Sequence, residues 1–374
     1  MRHTFKRSPR LVFGLLVVSV ALAAAFWGCS QSDDPVAPQD LSKLNVLSAK
    51  NPQVQSVMAV QNRHTPRLMA DPEVVGTATT LGDDGKPAVM VLVTSDRAAR
   101  GVPKTLDGVP VKLHRTDPIR AFKPYKPPPE DDPQSRLERP IKLGSSGGNA
   151  LDLANGYCCS GTLGSLITKA GKYYILSNSH VLAGDFASSP GDPDVAEIGN
   201  PINQPGLIEV GCQNISDDYV ATLSSLSTLS GGANVDAAIA EIMPGMVRTD
   251  GYILSIGTLS ASTADAYVGM DVKKSGRTTG LTREDITGLN ATITVGYEDE
   301  CAGTYFTKVF TGQILIGQRA SKFLNSGDSG SLMVEDVDTN PRAVGLLFAG
   351  SRSTAIANPI DEVLSHFGAS MVGQ

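Results

Sequence analysis

Three residues of this 374-residue chain have types and settings that suit one chemistry. The first is Ser329, in Leu324-Asn325-Ser326-Gly327-Asp328-Ser329-Gly330-Ser331. Glycines on both sides let the backbone bend sharply without a Cβ clash. Such a bend can aim successive N–H groups into one small space, a nest for a negative oxygen. A hydroxyl beside that nest is placed as a nucleophile needs to be. Taken alone, Gly-Asp-Ser-Gly also makes an ordinary turn.

A serine attacks well only when a base takes its proton, and the base needs an acid to fix its tautomer. The candidate base is His180, at the end of the apolar run Tyr174-Ile175-Leu176-Ser177-Asn178-Ser179-His180-Val181-Leu182-Ala183. Of five histidines in the chain, it is the one set after a strand in this way. The candidate acid is Asp236, opening the run Asp236-Ala237-Ala238-Ile239-Ala240. Asp217 and Asp218 compete for that role but lie in a polar loop with no apolar run behind them. Asp328 reads as a structural acid that orients the serine loop. The three groups follow in the order His, Asp, Ser, separated by 56 and 93 residues, enough to set each on a different part of a barrel pair.

Four segments carry a family resemblance, in order: Asn178-Ser179-His180-Val181, Val235-Asp236-Ala237-Ala238-Ile239-Ala240, Gly276-Arg277-Thr278-Thr279-Gly280-Leu281-Thr282 and Ser326-Gly327-Asp328-Ser329-Gly330-Ser331. Residues from about 157 to 367 resemble the chymotrypsin-like serine proteases, in particular the bacterial trypsin-like group related to the plant Narrow Leaf 1 protein. The resemblance implies a double antiparallel β-barrel and a His180–Asp236–Ser329 triad. It also implies, as bond geometry does, an oxyanion hole from the Gly327 and Ser329 N–H groups. By the same alignment Phe323, six residues before the nucleophile, lies at the base of the primary substrate pocket. Ser326 and the facing strand at Phe348 complete that pocket. No carboxylate falls there, so the pocket suits a small or apolar side chain rather than a basic one, since burying an unpaired charge is costly. The chain has no Ile-Val-Gly-Gly start and lacks the cysteines that flank the catalytic His and Ser of animal chymotrypsins.

The elements that must position these groups read as mainly β, with a small N-terminal α/β domain. Residues 1–28 have a basic start and an apolar stretch from Leu11 to Phe26, the pattern of an export signal. The stretch is short for a membrane-spanning helix. Its end, Gly28-Cys29, resembles a lipobox. That reading makes Cys29 a lipidated residue and the protein a cell-envelope lipoprotein, on the outer membrane of a host that has two. Plain secretion after Ala23-Ala24-Ala25 is the alternative. Residues 29–41 form a polar tether. Residues 42–115 read as a separate small α/β unit, with a helical stripe at Val54, Val57, Met58, Gln61 and Leu68 and three strands. It serves either as a docking or folding domain or as a propeptide over the active site. Residues 116–150, with Pro127-Pro128-Pro129 and a Gly-Ser-Gly-rich end, read as a linker. Residues 151–374 read as the protease domain. Short strands with turn signals run through it to an amphipathic helix at 358–367.

The remaining composition narrows the function. The net charge is −6 and no Lys/Arg run follows residue 30, so no nucleic-acid partner is expected. There is no metal-ligand motif, and Gly276-Arg277-Thr278-Thr279-Gly280 lacks the Lys-Ser/Thr ending of a P-loop, so neither metal nor nucleotide cofactor is expected. Cys158, Cys159, Cys212 and Cys301 permit two disulfides in an exported chain, with Cys158 and Cys159 each reaching Cys212 or Cys301. The expected function is an exported serine endopeptidase that acts on protein or peptide substrates. The rival is a catalytically quiet binding or scaffold protein on the same fold.

Overall fold

A computed structural model of the chain describes residues 48–120, 132–153, 158–183, 196–229, 232–297 and 306–374. The export signal, Cys29 and the tether fall outside the described residues, as do Cys301 and the prolines at 124–129.

The N-terminal segment begins with helix α1 (Pro52–Leu68), whose start is fixed by Asn51 accepting the Gln53 N–H and by proline in the first turn. It buries Val54, Val57, Val60, Gln61 and Leu68. The inward stripe runs through Val60, and Met58 is only partly covered. Strands β1 (Val74–Leu81) and β2 (Pro87–Val93) form the expected hairpin. A short helix α2 (Asp96–Gly101) then carries the chain to β3 (Thr105–Leu106) and β4 (Val109–Arg115), and β4 runs parallel to β2.

The first barrel is built from β5 (Ser145–Asn149), β6 (Gly161–Leu163), β7 (Ser165–Lys169), β8 (Lys172–Ser177), β9 (Pro201–Asn203), β10 (Tyr219–Leu226) and β11 (Ala238–Ile242). Their order is β7-β8-β11-β10-β9-β5-β6, with the last strand of the chain added outside β7. Strands β6 and β7 are separated by Gly164 alone, and one pairs with β5 while the other pairs with β8, which curls the sheet round on itself. A Cβ at Gly164 would lie 2.0 Å from the Gly330 carbonyl oxygen, so the bend seats directly against the serine loop.

A small hairpin, β12 (Tyr252–Ile253) and β13 (Gly257–Thr258), leads into the second barrel. Its strands are β14 (Asp271–Gly276), β15 (Gly280–Tyr297), β16 (Phe306–Gly317), β17 (Leu332–Glu335), β18 (Ala343–Gly350) and β19 (Thr354–Pro359). The order β14-β17-β18-β19-β16-β15 closes because β14 also pairs with β15. Helix α4 (Ile360–Phe367) follows directly after Pro359 and ends at Gly368, and it buries Ile360, Val363, Leu364 and Phe367 as its apolar stripe requires.

Two sequence expectations change. The 42–115 unit is not set apart, because β1 pairs antiparallel with β15 and extends the second barrel's sheet into β1-β2-β4-β3. The end of the expected linker is also part of the barrel. Ser145–Asn149 is a fully buried strand, and Ile141 and Leu143 are core residues. Glycine there serves close packing: a Cβ at Gly147 would meet Asn203 O at 2.6 Å and Leu163 at 2.5 Å. A glycine-rich tetrad can mean close approach as readily as flexibility.

Candidate active site

Strand β8 runs to Ser177, and the chain turns at Asn178 into the one-turn helix α3 (Ser179–Leu182) that carries His180. Asp236 lies two residues before β11, which pairs with β8, so the sheet register brings the acid to the base. His180 Nδ1 and Asp236 Oδ2 are 2.6 Å apart. Asp236 is fully buried. Its Oδ1 accepts the Ser179 N–H at 2.8 Å and the His180 N–H at 3.3 Å. Its own N–H donates to Asn358 Oδ1 at 2.9 Å, and its carbonyl accepts Asn178 Nδ2 at 2.7 Å. An acid held from this many directions has one orientation.

Tyr297 was not legible in the sequence. It ends the long strand β15, and its hydroxyl donates to Asp236 Oδ2 at 2.9 Å, the same oxygen that faces the imidazole. Burial, and then the neighbouring Asp236 carboxylate, push the phenol well above its usual range, so it stays protonated. Its ring stacks on Phe306 at 4.9 Å and lies 5.9 Å, edge-on, from the His180 ring. No motif marks this tyrosine; only the barrel brings it to the aspartate.

Ser329 sits across the seam between the barrels. Its carbonyl accepts the Thr162 N–H at 2.9 Å, and the Thr162 hydroxyl donates to Gly327 O at 2.8 Å. The Ser329 hydroxyl donates to Phe348 O at 3.4 Å. His180 Nε2 is buried and has no hydrogen-bond partner among the described residues. The histidine and aspartate are therefore joined, while the serine hydroxyl is turned to the β18 carbonyl.

The backbone around the serine alternates. The N–H groups of Leu324, Asn325 and Ser326 are taken by Gln318, Asp328 and Asn325 side chains. Those of Asp328, Gly330 and Ser331 donate to Asn325 O, Leu347 O and Asp328 O. Among the described residues, the Gly327 and Ser329 N–H groups alone in this stretch have no acceptor. They are the two N–H groups that the resemblance assigns to an oxyanion hole.

Asp328 holds the loop as expected. Its Oδ1 accepts the Thr278 and Thr279 N–H groups at 2.9 and 3.1 Å, and its Oδ2 accepts the Thr279 hydroxyl at 2.7 Å. Lys274, also fully buried, lies 3.3 Å from Oδ1. Burial lowers the Lys274 pKa, against the pull of Asp328. The Gly276–Gly280 turn is thus the brace under the serine loop. Beside it, Arg277 pairs with Glu209 in an almost fully buried contact between the barrels. Glu209 precedes Cys212, which is disulfide-bonded to Cys158; Cys159 is disulfide-bonded as well.

The pocket residues are placed unequally. Phe323 is a core side chain of the second barrel, with its carbonyl accepting the Thr282 hydroxyl at 2.9 Å. Phe348 is wholly buried, its ring 4.9 Å from Phe310. Ser326 is partly exposed. Two residues beyond Phe348, Gly350 exchanges both backbone hydrogen bonds with Arg120, each at 2.9 Å. The Gly296 N–H meets Ile119 O at 3.3 Å. The segment leaving the α/β sheet therefore lies along the β18 edge close to the serine.

Parts of the chain are similar to known proteins. The model of the Nal1 C-terminal domain matches residues 237–358, a span that includes Ser329 and starts one residue after Asp236. Streptogrisin-A of Streptomyces griseus is 31% identical over 116 residues, 30% of this chain and 33% of that protein. Serine protease 2 of Streptomyces fradiae is 40% identical over 72 residues, 18% of this chain and 41% of that protein. The chain thus spans between a third and about two fifths of the length of these relatives. The structure of Thermobifida fusca Protease A covers 63% of this chain and 99% of its own at 18% identity, with a TM-score of 0.42. Over these stretches the chain is similar to serine proteases of Streptomyces and, at residues 237–358, to the Nal1 C-terminal domain.

Proposed function

We propose that the chain is a serine endopeptidase in which His180 deprotonates Ser329 for attack on a peptide carbonyl. Asp236 holds the Nδ1–H tautomer and stabilises the imidazolium that forms. The Gly327 and Ser329 N–H groups receive the oxyanion of the tetrahedral intermediate. The acyl-enzyme is then hydrolysed by water, with His180 again as base. One observation carries the reading. A buried carboxylate orients an imidazole whose other nitrogen has no partner among the described residues, and the Gly327 and Ser329 N–H groups have no acceptor among them. In this reading the Ser329 hydroxyl leaves Phe348 O for His180 Nε2, and such bonds commonly tighten only with substrate bound.

The 3.4 Å contact between Ser329 Oγ and Phe348 O favours the second reading, a binding protein on this fold. A fluorophosphonate probe separates the two. The first reading expects covalent labelling of the wild type and none of Ser329→Ala or His180→Ala. Equal labelling of wild type and Ser329→Ala, or no labelling of either, would overturn it.

The preference before the scissile bond is proposed to be small or apolar. Glu335 and Asp336, the nearest acids outside the serine loop in sequence, are engaged by Arg342 at 2.6 Å and Arg283 at 3.0 Å. Peptides differing only at that residue should be cut faster with an apolar side chain than with arginine, and the opposite order would reject this pocket.

Residues 42–115 are proposed to serve as a domain docked on the second barrel. The Arg120–Gly350 pairing favours the propeptide version of that role, since an extended substrate strand entering at Gly350 must displace Arg120. Export, with Cys29 as a lipid anchor, remains part of the proposal. Cys29→Ser should release the protein from membranes, and unchanged partition would favour plain secretion.

A further inference from the structure

We propose that Tyr297 is a positioning residue for the Asp236–His180 pair, its hydroxyl fixing the carboxylate oxygen that faces the imidazole and moderating the charge it presents. The inference deepens the triad reading and rests on it. Asp236 Oδ2 has two donors, the imidazole at 2.6 Å and the phenol at 2.9 Å. A protonated phenol can only donate to a carboxylate, so its dipole opposes the negative charge felt at His180. The ring has little freedom. It stacks on Phe306 with the planes 10° apart and lies 6.5 Å from Phe310. The backbone beside it is held at Gly296 by Ile119.

A buried tyrosine commonly finds some acceptor for its hydroxyl. Here the acceptor is the single oxygen through which Asp236 acts on the base. A purely structural hydroxyl would affect stability and leave the imidazole alone. A positioning hydroxyl must also change the proton affinity of His180. Among the described residues, the charged or titratable groups that face this cluster are Asp236 on the lead-in to β11, His180 on α3 and Lys308 on β16. Lys308 is tied to Leu229 O at 2.8 Å, and Asp236 acts on it electrostatically. None of these is altered by replacing Tyr297 with phenylalanine, which keeps the ring and removes only the donor.

The test uses the full chain and two readouts. In Ser329→Ala backgrounds, NMR of the histidine side chains follows the His180 titration with and without Tyr297→Phe. Loss of the donor should raise the imidazole midpoint by about half a unit or more, since a carboxylate stripped of a hydrogen bond presents more charge. In the otherwise wild-type chain, the acid limb of the pH profile of kcat/KM should move the same way. There kcat should fall about tenfold with KM nearly unchanged. Phe306→Leu loosens the ring stack but keeps the hydroxyl, and should leave the midpoint in place. If Tyr297→Phe does not fold, 3-fluorotyrosine at 297 supplies a stronger donor and should move the midpoint downward. An unmoved midpoint in folded Tyr297→Phe, or an equal shift in Phe306→Leu, overturns the proposal. Absence of hydrolysis in every variant overturns the endopeptidase reading instead, and the NMR titration still decides the role of Tyr297.

Discussion

Two aspartates, Asp236 and Asp328, are both fully buried, and both accept backbone N–H groups through one oxygen. They part company at their remaining partners. Asp236 faces an imidazole and a phenol, and among the described residues the second imidazole nitrogen has no partner. Asp328 faces Lys274, the Thr279 hydroxyl and the Asn325 N–H, and every direction is closed. Burial alone therefore does not mark a carboxylate for chemistry. A partner ring with a second nitrogen left without a hydrogen bond sets Asp236 apart. A cation locked in the same core makes the carboxylate a brace.

Turnover depends most steeply on Asp236. Asp236→Asn keeps the shape but offers the imidazole the wrong tautomer, and turnover should drop about 10⁴-fold. The melting temperature should change little by comparison. A variant that retains a tenth of wild-type turnover would mean that Asp236 is not the orienting acid.

The next effect is on stability. Asp328→Asn leaves Lys274 as an uncompensated buried charge, and breaking such a pair costs about 3–5 kcal/mol. Denaturant unfolding should show that loss. The double variant Lys274→Met with Asp328→Asn should recover much of it, since the charge is gone from both sides. Equal stability of Asp328→Asn and wild type would remove the brace from this account.

The smallest and most discriminating effect lies at alkaline pH, where the two sites pull in opposite directions. Tyr297 has its folded pKa raised by burial and by Asp236. Above the unfolded tyrosine value, near 10, the unfolded chain releases a proton that the folded chain keeps, so stability falls as pH rises. Lys274 has its folded pKa lowered by burial. Between that value and the unfolded lysine value, near 10.4, the unfolded chain holds the extra proton, so stability rises with pH. Unfolding free energies between pH 8 and about 11 should therefore fall less steeply in Tyr297→Phe. In Lys274→Met they should lose their rise below the lysine value. Identical slopes in all three proteins would show that neither group titrates differently on folding.

What could be read before the fold was known follows from locality. His180, Asp236 and Ser329 each sit in a short stretch whose own pattern places it: a strand running into a polar turn, an acid opening a strand, a serine between glycines. Asp328 was legible as a structural acid for the same reason. Lys274 was not, because nothing in Val272-Lys273-Lys274-Ser275 marks one of its two lysines for burial. Only the closure of the second barrel puts that ammonium under the serine loop. Tyr297 lies 61 residues from the carboxylate it touches and carries no local signal at all. The strand Ser145–Asn149 was misread because its glycines, needed for packing, have the composition of a tether. The apolar stripe of α4 came through intact.

The pairing of β1 with β15 also has a temporal side. Gly76 must find Ile293 and Thr79 must find Leu289, contacts more than 200 residues apart. A ribosome adding about 5–20 residues per second delivers β15 on the order of tens of seconds after β1. During that interval the β1–β2 hairpin is a finished unit with one unpaired, mostly apolar edge, the kind of surface that recruits other strands. The order of synthesis therefore leaves the α/β segment waiting for its partner. Long-range pairings of this kind slow folding generally. The chain is most exposed to misassembly before its second barrel exists.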